Sequence, residues 1–380
     1  MKIIIAPDSF KGSLSARQLC EAIEIGIHNV EPDAEVISIP LADGGEGTVE
    51  SLVMATGGQL HQTVVQNPLG NLVQAHFGVL DDGVTAVIEM AQASGLPLIS
   101  AQDRNPLITT TYGTGQLIRH ALDLGFRRFI VGIGGSATND GGAGMLQALG
   151  VRLADSSGNE LPRGGQALNR LARIDSSGMD PRVHESTFVI ASDVTNPLCG
   201  PNGASAVFGP QKGATPFMVS VLDKALSRYA DVIAQTTGTN IIDVPGAGAA
   251  GGMGAALLAF LGAQMCSGIQ LVLEAVRFSE KIQGADLLIT GEGKLDAQTL
   301  SGKTIAGVAS LAKEHGVPVV ALCGALELHP AELDQLGITA AFSILNRPAT
   351  LLEAMRHAGT WTTQQTEQMI RLYRQIGVIR

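Results

Sequence analysis

Residues 1–57, MKIIIAPDSFKGSLSARQLCEAIEIGIHNVEPDAEVISIPLADGGEGTVESLVMATG, spell strand, loop, helix, strand, loop, helix. Residues 2–6 form an unbroken apolar run, the pattern of a strand covered on both faces. Ser15 and Gln18 stand three apart, as in a capping box, and Leu19, Ala22, Ile23, Gly26, Ile27 and Val30 then recur at helical spacing. Residues 35–39 make a second strand, followed by LADGGEGT and a helix beginning near Val49. The last hundred residues repeat the rhythm: strand 286–290, helix near 303–315, strand 317–322, helix near 330–336, strand 339–344, then helices to the end. Such alternation predicts a parallel sheet with helices on both faces, an α/β fold.

Between these halves the pattern changes. Residues 61–90 read as three neighbouring strands, HQTVVQ, VQAHFGVL and TAVIEM, separated by turn signals at Asn67-Pro68-Leu69-Gly70 and Asp81-Asp82-Gly83. A helix near 115–124, a strand at 128–133, a glycine-rich turn opening a helix to Leu149, a strand at 187–191 and helices near 216–236 and 252–264 follow. The expected organisation is an insertion: residues 1–60 and 282–380 form one domain, and residues 61–281 form a second, mixed α/β domain within it.

A chain of 380 residues exceeds what one core usually organises, and 45% hydrophobic residues suffice for two. Aromatics are only 4%, so packing relies on aliphatic side chains and on close backbone approach at 47 glycines. A formal charge of −10 with no run of Lys or Arg argues against nucleic acid as a partner. The four cysteines lie far apart without a C-x-x-C pair, which disfavours zinc and disulfide frameworks and suits a reducing cytoplasm. Residues 244–273 carry one charge-free apolar stretch, but its first third is GAGAAGGMG, so a buried helix is expected rather than a membrane span. The sequence also allows a homo-oligomer.

The chemistry concentrates in charged, glycine-rich segments after strands. In a parallel sheet, loops leaving the carboxyl ends of strands share one edge, where ligands bind. PDSFKGS offers Asp8, Ser9 and Lys11; LADGGEGT offers Asp43 and Glu46; TGEGKLD offers Glu292, Lys294 and Asp296. There Gly291 and Gly293 are expected to form a turn whose backbone N–H groups approach anionic oxygens. Carboxylates at this density repel unless a cation sits among them, so Mg²⁺ is expected, with Asp43, Glu46 and Glu292 as ligands and Asp8 as an alternative. Residues 297–304, AQTLSGKT, resemble the end of a phosphate-binding loop but have Ala297 where its first glycine belongs; Lys303 is the phosphate-binding candidate there. In the inserted domain, residues 132–142, GIGGSATNDGG, follow a strand and supply Ser136, Thr138 and Asn139 as donors to oxyanions. SDVTNPLCG, after the strand at 187–191, supplies Asp193, as base or metal ligand, and Asn196.

Residues 132–137 also fit G-x-G-x-x-A, with Asp155 about 20 residues on, the signature of a dinucleotide site. A nicotinamide-dependent hydroxy-acid dehydrogenase is therefore one alternative, although it leaves the carboxylate-rich loops without a role. A non-catalytic sensor of small acids is another. No G-x-S-x-G elbow and no paired histidine spacing occurs, so serine hydrolysis and a histidine metal centre lack support.

Taken together, PDSFKGSLSA, ADGGEGT, TTYGTGQLI, GIGGSATNDGGAGM, SDVTNPLCG, VFGPQKGA and TGEGKLDAQTLSGK closely resemble the bacterial class I glycerate kinases in order and spacing. The resemblance implies a flavodoxin-like outer domain, a differently folded inserted domain and an active-site cleft between them. It further implies ATP-dependent phosphorylation of D-glycerate with Mg²⁺, favouring the 2-phosphate, on small-molecule substrates alone. On that reading Lys11, Lys294 and Lys303 hold phosphate and carboxylate, Asp193 or Asp296 takes the hydroxyl proton, and Asp8, Asp43 or Glu292 holds the metal.

Overall fold

Five strands, all parallel, make the sheet of the first unit, in the order Ala340–Ser343, Val319–Leu326, Leu287–Leu295, Lys2–Ile5, Glu35–Ser38. Numbered along this unit and read from the other edge, the order is 2-1-3-4-5, that of flavodoxin-like sheets, whose crossover reverses between the first and third strands. The computed structural model describes residues 1–41, 47–301 and 303–378, with the backbone alone at residues 298, 301, 303 and 376–378. The chain divides into two units, Met1–Asp43 with Glu50–Gly57 and Ile269–Arg380, and Gly44–Val49 with Gly58–Gly268.

In the first unit Ile3, Ile5, Leu287, Ile289 and Leu322 meet Leu19, Ile23 and Ile27 of the helix Ala16–His28 and Trp361 and Ile370 of the helix Leu351–Val378. Each such side chain contributes about 1.5–3 kcal/mol on burial. Ser15 and Gln18 close the capping box that starts the first helix. Gly26 lets the two helices touch, since a Cβ there would lie 2.6 Å from the Thr363 carbonyl oxygen. The C-terminal segment is one helix of 28 residues.

One element differs from the sequence expectation in a way that matters. The strand expected at 286–290 continues through Gly291, Glu292, Gly293 and Lys294 to Leu295, paired in register with the strand Val319–Leu326. Gly291 and Gly293 are therefore ladder residues and form no turn. The cause is close approach of two backbones: a Cβ on Gly291 would lie 2.2 Å from the Leu322 carbonyl oxygen, and one on Gly324 would lie 2.7 Å from that of Gly293. Glycines that read as loop punctuation here let the two strands stay close and the ladder run on.

The second unit holds a six-stranded sheet in the order Gln264–Cys266, Thr187–Ala191, Arg128–Gly132, Thr85–Glu89, Leu72–Val79, Gln59–Gln66. The first four are parallel and the last three form the expected meander. Phe129 and Phe188 stack at 4.7 Å between ring centres, and Phe77, Leu117 and Tyr229 are fully buried beside small alanines and glycines. The helix Ala249–Phe260 begins with a left-handed kink at Ala250, Gly251 and Gly252. A Cβ on Gly251 would sit 2.0 Å from the Thr138 carbonyl oxygen, and the Gly141 N–H donates to the Gly251 carbonyl at 3.0 Å. The GAGAAGGMG run thus seats the turn at 138–141. Among the described residues no helix is long and apolar enough to cross a membrane.

Candidate active site

The crossover of the first sheet lies between Lys2–Ile5 and Leu287–Leu295, the position at which open α/β sheets bind ligands. Past the carboxyl end of the first of these strands, the Asp8 N–H donates to the Gly291 carbonyl at 2.8 Å, tying one candidate loop to the neighbouring strand. The Asp8 carboxylate in turn accepts from the Ser9 N–H at 2.6 Å. Gly293 passes beneath this loop, its Cβ position 3.5 Å from the Phe10 Cα. Ladder geometry brings Asp8, Ser9, Lys11 and Glu292 to one edge.

Glu292 is half-buried. Its carboxyl is pushed above the ordinary value by burial, opposed by a hydrogen bond from the Thr299 hydroxyl, raised further by Asp8 and Asp296, and drawn back by Lys11. Thr299 Oγ1 donates to Glu292 Oε1 at 2.6 Å and accepts from the Asp296 N–H at 3.1 Å. That residue escaped the sequence reading, although its place three beyond Asp296 is a turn signal. Lys294 lies in two ion pairs, 3.0 Å from Asp296 and 2.9 Å from Glu327. Its ammonium is held above the ordinary value by the hydrogen bond to Glu327 and then that to Asp296. Lys11 is exposed and makes no hydrogen bond or ion pair among the described residues.

Asp43 and Glu46 lie outside the described residues, as does the Lys303 side chain; the backbone of Lys303 opens the helix Lys303–Glu314. The segment 297–304 is helical on both sides of Gly302, with no phosphate-binding turn among its described residues. Among the described residues no three His, Cys, Asp or Glu side chains stand close enough to hold a metal by themselves. Mg²⁺ in phosphoryl-transfer sites takes one or two carboxylates and completes its shell with phosphate and water, so the expected Mg²⁺ would draw on Glu292 and on ligands from outside the protein.

The second unit gathers a different set. Ser136, Thr138, Asn139 and Asp140 are buried in the turn that follows Arg128–Gly132. Lys212, at the end of the short turn Pro210–Lys212, reaches inward until its Nζ lies 2.7 Å from Ser136 Oγ and 2.7 Å from the Thr138 carbonyl oxygen. Burial pushes this ammonium down to about 7, with the charge of Asp140 opposing. Asp140 accepts from the Thr111 N–H at 2.8 Å, its hydroxyl at 2.9 Å, and the Gly142 and Gly144 N–H groups at 3.2 Å. Those bonds only partly offset the burial that raises its carboxyl. Asn139 donates to the Ser205 hydroxyl at 2.9 Å. Asp193 is half-buried just beyond the adjacent strand, and Asn196 bridges its own loop by donating to the Asn202 carbonyl at 2.8 Å. Glu89, fully buried at a strand end, accepts from the Gly47 and Val49 N–H groups at 3.3 and 3.4 Å and was not singled out by its sequence.

The dinucleotide signature does not survive. Asp155 closes an exposed turn through the Ser157 and Asn159 N–H groups. Its strand, Arg152–Ala154, pairs antiparallel with Arg173–Asp175 in a separate two-stranded sheet. A ribose-binding acid must instead end a strand of the same parallel sheet as the glycine turn.

Comparison with known proteins shows the family. Residues 3–374 match the model of the glycerate kinase family. The chain is 55% identical to a glycerate kinase of Bacillus subtilis (strain 168), covering 95% of this chain and 94% of the relative, and 53% identical to the glycerate 2-kinase of Escherichia coli (strain K12), covering 94% of each. The crystal structure of a protein from Salmonella typhimurium LT2 superposes with a TM-score of 0.88 at 50% identity, over 98% of both chains. This chain belongs to the glycerate kinase family.

Proposed function

We propose that this protein transfers the γ-phosphoryl group of ATP to D-glycerate, forming 2-phosphoglycerate. Family membership over nearly the whole chain carries this reading, and the grouping of Asp8, Lys11, Glu292, Lys294 and Asp296 at the sheet crossover supports it. The 2-position follows the E. coli relative's name. Phosphoryl transfer asks a protein mainly to position groups and neutralise charge. Lys11, exposed and without an ion pair among the described residues, is placed for the nucleotide phosphates, with Lys303 as a second cation. Glu292, with Asp8 beside it and Asp43 and Glu46 as further ligands, would hold Mg²⁺, which supplies neutralisation of the β- and γ-phosphate oxygens. In the second unit, Ser136, Thr138, Asn139 and Asn196 frame the organic acid, and Asp193 takes the proton from the attacking hydroxyl. Asp296 is the second candidate, already engaged 3.0 Å from Lys294.

The test is ADP release with D-glycerate and Mg²⁺, for the wild type and for Asp193→Asn and Asp296→Asn. We expect glycerate-dependent ADP, a fall in kcat of about 100-fold or more for Asp193→Asn, and a smaller fall for Asp296→Asn. Unchanged kcat in Asp193→Asn removes it as the base.

A further inference from the structure

Arg104 is the unexplained charge in the second unit. Its Nε is buried and has no hydrogen-bond partner, and the guanidinium makes no hydrogen bond or ion pair among the described residues. An arginine whose inner nitrogen is withdrawn from water without a partner carries a desolvation cost that a missing anion would offset. The neighbouring acid does not serve: the exposed Asp103 carboxylate accepts from the Ser100 hydroxyl at 2.7 Å and forms no ion pair with Arg104.

Arg104 also sits within the cluster around Ser136. Gly213, directly after buried Lys212, takes a φ of +92°, and a Cβ there would lie 2.6 Å from the Arg104 carbonyl oxygen and 2.9 Å from the Arg104 Cβ. Further along the same segment, Thr109 donates its hydroxyl to the Ala137 carbonyl at 3.0 Å. Two routes therefore lace residues 104–109 to the turn that carries Ser136 and Thr138. Lys212 is not available to an anion, since both of its contacts go to that turn. The guanidinium is the cation left over, and its planar fork matches a carboxylate better than an ammonium does.

On the reading that the chain phosphorylates glycerate, we propose that Arg104 binds the substrate's carboxylate and so selects hydroxy acids over neutral polyols. Lys11 and Lys303 are then left to phosphate. Arg104→Met is expected to raise KM for D-glycerate about 100-fold while changing KM for ATP by less than about 3-fold, the worth of a charge-assisted pair. Turnover of glyceramide, which lacks the charge, is expected to stay at its wild-type level in the variant, and Arg104→Lys should recover part of the glycerate KM. A matched thermal midpoint shows that the variants fold.

An unchanged glycerate KM in Arg104→Met overturns the proposal. A rise confined to KM for ATP overturns it too, by assigning the residue to phosphate. Calorimetric titration of D-glycerate into the nucleotide-free protein separates this inference from the proposed activity. Wild-type binding that Arg104→Met abolishes supports Arg104 even if ADP release fails. Equal binding by both proteins refutes it even if ADP release succeeds.

Discussion

Lys212 shows how a single residue fixes a turn at a cost the fold must bear. Its ammonium lies in the interior with two oxygen acceptors at 2.7 Å, an arrangement that a neutral amine with two N–H donors also satisfies. Because the folded value, about 7, lies below the ordinary 10.5, the unfolded chain carries a proton between those limits that the folded chain lacks. Stability from this group therefore rises with pH across that window, and the penalty is fully present below about 7. The unfolding free energy of wild type minus that of Lys212→Met is expected to rise by about 1 kcal/mol per pH unit from pH 7.5 to 9.5, read by urea unfolding. A difference that stays constant over that range shows that Lys212 keeps its charge in the fold. Nothing in VFGPQKGA reveals this burial, since a lysine beside a glycine reads as a surface turn. The partner atoms come from residues 74 and 76 positions away.

At the scale of elements, the strand Leu287–Leu295 decides the geometry around Glu292. Gly291→Ala would place a Cβ 2.2 Å from the Leu322 carbonyl oxygen, so the two strands must part. We expect a loss of roughly 1–3 kcal/mol in stability, and a fall in kcat larger than the thermal shift alone explains, because Glu292 follows directly in the ladder. Full activity in a folded Gly291→Ala protein would show that the register of Glu292 does not matter. Charged residues and glycines in TGEGKLD read as a turn because local propensity counts them so. What overrides propensity is the matching glycine in the partner strand at Gly324, visible only once the pairing is known. The meander at 59–89 was legible for the opposite reason, since its alternating pattern and turn residues lie close together along the chain.

For the whole molecule, alternation of apolar strands with amphipathic helices made the parallel sheet readable, and capping signals placed the first helix. Strand order did not follow from the pattern, because periodicity assigns faces and leaves neighbours open; it entered through the resemblance and is now seen as a 2-1-3-4-5 sheet. Of the site, the acids and lysines were legible as types in loops. Thr299 lies only seven residues from Glu292, whereas the partner Glu327 and the buried roles of Asp140 and Lys212 depend on contacts distant in sequence. Arg104 was silent for the same reason: an arginine in DRNPL reads as surface until its Nε is found enclosed. The dinucleotide signature failed at this scale as well, for its acid belongs to another sheet.

The central claim is phosphoryl transfer from ATP to the C2 hydroxyl of D-glycerate, and proton-coupled ³¹P NMR of a reaction with Mg²⁺ tests it most directly. The account predicts a new phosphomonoester resonance split into a doublet by the lone proton on C2, growing in step with ADP. A triplet would move the phosphate to C3, and no glycerate-dependent resonance with ATP intact would contradict the account outright.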